Sequence, residues 1–157
     1  MTATKVIGES VKQTNRTFIK SYVNDYADAI TKNYRRYHIR TLKGNLHGNY
    51  PEYAREQLDA IENGTANLYK FVVKTGKRYY KIVQQEFETW EKSRNYGKYA
   101  DGSVHCFVDK ETGDVYKPAS WSAPAKHIRY TFQDVNHLKF LLNPDNVNWA
   151  GGYLYMR

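Results

Sequence analysis

Between Thr17 and Leu42 the large apolar residues Phe18, Tyr22, Tyr26, Ile30, Tyr34 and Tyr37 recur at spacings of four and three. That is the stripe of an amphipathic helix and predicts one near 15–41. Asp25, Asp28, Lys32, Arg35 and Arg36 lie largely off the stripe, on a solvated face, and Arg40 reads the same way. Gly44 and Gly48 then interrupt the pattern, and Pro51 suits the first turn of a second helix near 51–63, ended by Gly64. The two helices are expected to pair, with the stripe serving as core.

From about residue 67 the period shortens. NLYKFVVKTGKRYYKIVQQEF holds two β-branched and aromatic runs around KTGK and reads as a hairpin. The polar stretch 88–102 reads as a connection. A second hairpin follows in SVHCFV, DKETGD and VYKP, with Gly113 supplying a positive-φ turn position. Simple alternation places Val104, Cys106 and Val108 on one face, with His105 and Phe107 opposite. In FQDVNHLKFLLN, Val135, Leu138 and Leu141 or Leu142 form one short helix face. The ending NWAGGYLYMR reads as a last strand whose Gly151-Gly152 pair either bulges or lets another backbone or a ligand approach. The expected class is α+β: an N-terminal helical pair followed by a small, mainly antiparallel sheet with one short helix. The helical region is 1–66 and the β-rich region 67–157, together forming one compact domain.

Composition supports a folded chain: 157 residues with 41% hydrophobic and 15% aromatic content suffice for a core. Apolar runs are too short to span a membrane, and MTATKVIGESVKQTNR has no apolar signal region, so a cytosolic protein is expected. The single cysteine, Cys106, agrees with a reducing compartment. The net charge of +8 favours phosphate-bearing partners, nucleotides or nucleic acids, over basic ones. It divides as +3 (10 basic, 7 acidic) over 1–66 and +5 (14 basic, 9 acidic) over 67–157, so it is not a basic tail. Fifteen tyrosines add flat faces suited either to stacking or to half-buried packing.

Catalytic patterns are missing. His38, His47, His105, Cys106, His127 and His137 show no metal-ligand spacing, so no metal is expected. Ser120 and Ser122 lack a nucleophile-elbow context, and no phosphate-cradling glycine motif occurs, so neither a catalytic residue nor a cofactor is expected. Asp109, Glu111 and Asp114 cluster within a turn, where Asp bonds to backbone. His105 and His127 are the best general-acid candidates, but neither has a partner in the sequence.

The segment DVYKPASWSAPAKHIRY sets Lys117, Lys126 and Arg129 among Tyr116, Trp121 and Tyr130. Pro118 and Pro124 stiffen it, so it loses less entropy than a flexible loop on organising around a ligand. Cations, the Ser120 and Ser122 hydroxyls and the rings together suit an anionic nucleotide, with Gly151 and Gly152 offering backbone. The bland alternative is a connection with Trp121 plugged into the core. A second reading places a single strand of nucleic acid on the first hairpin, with Lys70, Lys74, Lys77, Arg78 and Lys81 on phosphates and Tyr69, Tyr79 and Tyr80 stacking. A third has the Tyr-striped helix bind a host protein. A homo-oligomer is compatible with all three.

The run SVHCFVDKETGDVYKPASWSAPAKHIRY, followed by NWAGGYLYMR, resembles a C-terminal signature in uncharacterised small proteins of tailed bacteriophages. The resemblance covers roughly 70–157, which leaves 1–66 as a variable addition. It implies a phage gene product in the host cytoplasm, in the contest with host defence. The expected function is then non-catalytic capture of a nucleotide defence signal, since a basic protein does not mimic DNA.

Overall fold

A computed structural model describes the backbone of residues 3–155 and the side chains of 15–155. Most of the opening MTATKVIGESVKQTNR, and Met156 and Arg157, lie outside the described side chains. Helix α1 spans Ala3–Asn45 and α2 spans Pro51–Glu62. Strands β1 (Lys70–Thr75), β2 (Tyr79–Phe87), β3 (Tyr99–Asp109), β4 (Asp114–Tyr116) and β5 (Tyr130–Thr131) follow. Short helices α3 (Val135–Leu141) and α4 (Gly152–Tyr155) close the chain. The five strands form one antiparallel sheet in sequence order, so the class is α+β as the pattern predicts.

Helix α1 covers one face of the sheet. Its buried seam is Ile19, Val23, Tyr26, Ile30 and Tyr34, which pack with Phe71, Tyr80, Ile82, Cys106, Val108, Val115 and Tyr130 in one cluster. Phe18 and Tyr37, counted in the predicted stripe, are exposed instead. Two adjacent rows of α1 satisfy the same spacing, and the sheet selects the one with β-branched Ile19 and Val23. Tyr26, Ile30 and Tyr34 of the stripe are interior and present no face to a partner protein, which leaves only its exposed members Phe18 and Tyr37 to do so. The two helices do pair, through Leu42, Ala54 and Ile61 in a second, smaller cluster.

Four predicted details change. Strand β3 begins at Tyr99, inside the stretch read as a connection. Its register against β2 shifts twice: Ile82 pairs with Cys106 but Val83 with Val104, and Gln85 with Asp101. The extra residue at His105 is a bulge, which breaks strict alternation. His105 therefore turns with Cys106 toward the helix-covered core, edge-on to Phe71 with ring centroids 5.7 Å apart. The chain end is the helical turn α4, not a strand. Tyr153 and Leu154 are consecutive and both buried, which a strand would send to opposite faces. In α3, Leu141 is buried while Val135, just inside the cap, is exposed.

On the face away from α1, cross-strand pairing sets out a row: Lys74 opposite Lys81, Lys81 opposite Phe107, Phe107 opposite Tyr116. Cations occupy one end of this row and rings the other.

Candidate functional site

The proline segment forms a braced arm. Ala125 N–H donates to the Lys117 carbonyl (2.8 Å), and Pro118 and Pro124 sit opposite each other as a bridge. Ala119 and Ser120 N–H both donate to the Ala123 carbonyl (3.0 and 3.1 Å), and Ser122 N–H to Ser120 Oγ (3.3 Å). The fixed φ of the two prolines suits the base of this narrow stem. Trp121 and the two serines are thereby carried at its tip.

That tip lands on the row of cations and rings. Lys81 Nζ donates to the Trp121 carbonyl (2.7 Å) and lies 4.1 Å from the centre of the indole ring and 5.7 Å from that of Phe107. Phe107 is only 2% exposed although it stands outside the helix-side core. Trp121 stays 44% exposed, so it is not plugged into the interior. Between arm and hairpin runs an open cleft of about 420 Å³, bordered by Lys74, Lys77, Arg78, Lys81, Tyr79 and Phe107, with Ser122 on the arm side. The two residue sets that the sequence offers as rival sites, loop and hairpin, thus meet here.

Each cation is differently held. Lys74 Nζ is 2.5 Å from Asp101 Oδ2, and Gln85 donates to Oδ1 (2.9 Å). These bonds, the lysine's first, hold the Asp101 carboxyl below its usual range. Arg78 lies 3.7 Å from Asp109 and its guanidinium 5.1 Å from the Tyr79 ring centre. Lys77 is fully on the surface. Lys70 caps the Tyr99 ring at 3.9 Å, at the far end of β1. Tyr116 meets Tyr79 edge to face, and burial raises its phenol.

The remaining loop candidates do not converge on this cleft. Lys117 Nζ lies over the Tyr155 ring at 4.6 Å, and Lys126 is exposed. Arg129 is half-buried, with Nε enclosed and without a hydrogen-bond partner. Tyr130 is 5% exposed, stacked on Phe140 at 5.3 Å, and its hydroxyl donates to the Tyr153 carbonyl (3.1 Å). It is a core residue with no face left for a ligand, because pairing with Val115 turns it inward. Tyr69 and Tyr80 likewise pack against the helix side, Tyr69 stacked on Tyr34 at 4.8 Å, which leaves Tyr79 as the hairpin tyrosine on the cation face. Gly151, at φ +85°, lines a separate cleft of about 240 Å³ with His105, Trp149 and Tyr155. Gly152 is exposed at the start of α4. The loop tip and the glycine pair are therefore parts of different clefts.

The two reactive interior groups are both held in their neutral forms. His105 Nε2 is 2.7 Å from the Tyr153 hydroxyl, which is 2.5 Å from the Tyr26 hydroxyl. Burial pushes His105 down to about 4 and the Cys106 thiol up to about 12, so near neutrality the imidazole is uncharged and the sulfur protonated. His127 is exposed. Among the described residues no group of three or more His, Cys, Asp or Glu side chains gathers to hold a metal. No helix there is long and apolar enough to cross a membrane.

The convergence of arm and hairpin escaped the sequence reading, which treated the two as alternatives. What brings them together is strand register, which sets Lys74, Lys81, Phe107 and Tyr116 side by side across β1–β4 and is not written in either segment alone.

Comparison with known families adds a match over residues 5–156 to a family of unknown function, DUF7717. The chain belongs to that family. The match takes in the helical region, so 1–66 is not an addition outside the family domain. No curated protein and no solved structure matches the chain.

Proposed function

We propose that this DUF7717 protein is a non-catalytic binder of single-stranded nucleic acid, held in the cleft between the hairpin and the proline arm. The observation that carries the reading is the contact of Trp121 with Lys81, which sets a half-exposed indole beside the open groove that Lys81 borders together with Lys74 and Lys77. Backbone phosphates need a positively charged track, and bases need a ring with a free face; sequence-tolerant strand binders combine the two. An open groove bordered by several cations favours a strand over a closed pocket for one nucleotide. In line with the resemblance to phage proteins, the setting we propose is the cytoplasm of an infected bacterium.

Capture of a free nucleotide, such as a defence signal, is the second reading. Its support is the cleft at Gly151, where the close backbone and the Lys117–Tyr155 pair offer an anion contact beside a ring.

Fluorescence anisotropy with a labelled oligothymidylate separates them. For strand binding, Trp121→Ala weakens affinity by about 1–3 kcal/mol, roughly 5- to 150-fold, and log K falls with log salt by about 0.7 per phosphate contacted. No binding of any oligonucleotide, together with a rise in melting temperature on adding a mononucleotide or cyclic dinucleotide, would replace the first reading with the second.

A further inference from the structure

A second cleft, of about 1160 Å³, lies on the other side of the hairpin turn, between it and α1. Arg16 and Lys20, one helical turn apart on α1, face Lys77, Arg78 and Lys110 across it. Two carboxylates share the lining, and both are engaged. Glu111 Oε1 is 2.5 Å from Arg16 Nη2. Asp109 Oδ1 accepts the backbone N–H groups of Glu111 (2.8 Å) and Thr112 (3.1 Å), the bonding expected of Asp at a turn. Lys110 Nζ is fixed by the Gly76 carbonyl (3.1 Å) and by the Tyr80 ring at 5.6 Å. Lys20 and Lys77 are exposed and make no ion pair among the described residues. The described lining carries a net positive charge of three, five cations less two carboxylates.

Lys77 and Arg78 border both this cleft and the one at Trp121, so the two are joined around the KTGKR turn. A single phosphate needs no such length of cationic surface, whereas a chain bearing one charge per repeat does. The rings at the Trp121 end favour a chain that also carries bases over an acidic peptide. Resting on the strand-binding reading above, we propose that the α1 cleft is a second phosphate-binding segment of the same path. A single strand then runs from Trp121 past the hairpin turn to Lys20.

The test uses the full chain and oligothymidylates of about four and about twelve nucleotides, the short one filling one cleft and the long one both. Lys20→Ala is expected to leave the short oligonucleotide's affinity unchanged. It should weaken the long one several-fold and lower its salt slope by about 0.7, the loss of one phosphate contact. Lys81→Ala should weaken both. Equal melting temperatures of the two variants and the parent establish that folding is intact. If Lys81→Ala weakens binding while Lys20→Ala changes neither length, the extended path is wrong and strand binding at Trp121 stands. If neither oligonucleotide binds the parent protein, both ideas fall. Displacement of the long oligonucleotide by polyglutamate at equal charge would assign the α1 cleft to acidic peptides instead.

Discussion

His105 stands where three elements meet. Its Nε2 touches the Tyr153 hydroxyl of α4, which in turn touches Tyr26 of α1, and Phe71 of β1 lies against its ring. A charged imidazole there would have no counter-ion among the described residues to offset its lost hydration, and burial drives its protonation down to about 4. The unfolded chain takes up that proton at the ordinary value near 6.5, so between the two values the unfolded state binds more protons than the folded one. The stability contributed by the neutral ring is therefore complete above about pH 6.5 and is lost as pH falls toward 4, by about 3 kcal/mol in all. Urea unfolding at several pH values between those limits checks this, with His105→Gln as reference. The parent should lose stability more steeply than the variant, and parallel slopes would show that His105 does not titrate in this way.

At the scale of elements, the turn joining β3 and β4 makes a demand that can be isolated. Gly113 has φ +74°, and a Cβ there would come within 2.9 Å of Phe132 Cβ, a core atom that cannot retreat. Gly64, after α2, has nearly the same φ, +76°, but open space around it. Gly64→Ala should cost only the left-handed penalty, about 1–2 kcal/mol, while Gly113→Ala should cost that plus about 1–3 kcal/mol of overpacking. Denaturation midpoints of the two variants give the difference directly, and equal losses would mean that Phe132 yields freely. The glycine at this turn was legible in the sequence because only the backbone decides it. Both helical partners and the first hairpin were legible for the same reason: caps, prolines and periodicity are local signals. The bulge at His105 was not, since an extra residue in β3 leaves the composition of the strand unchanged and shows only against its partner β2. The α4 turn was hidden likewise. Its identity depends on Tyr153 reaching Tyr26 and His105, residues distant in sequence. The arm at Pro118 and Pro124 could be read as stiff, but it leans on Lys81, two strands across the sheet from Tyr116, and that neighbour comes from strand register and not from any property of the arm.

For the whole molecule the question is whether the sheet exists without its helix. The sheet half of the main cluster, Phe71, Tyr80, Ile82, Cys106, Val108, Val115 and Tyr130, has Ile19, Val23, Tyr26, Ile30 and Tyr34 of α1 as its cover. A sheet with one apolar face must bury it against a second layer, and α1 is that layer. Asn33 also sews α1 to the chain end, donating to the Pro144 carbonyl (2.7 Å) and accepting from Trp149 N–H (2.9 Å). Surface ion pairs add little to this: Arg16–Glu111 and Arg36–Asp145 are exposed at both partners, and such pairs contribute about 0–1 kcal/mol. The apolar layer, not the charges, is what makes the two regions interdependent. A chain of residues 67–157 is accordingly expected to show no cooperative unfolding transition and to bind hydrophobic dyes. Restoring residues 15–66 should bring back a single transition. A cooperative transition of the shorter chain at the parent's midpoint would overturn this dependence. It would also make the cleft at Trp121 separable from the cleft at α1, because the hairpin and the proline arm would then keep their shape with Lys20 and Arg16 gone.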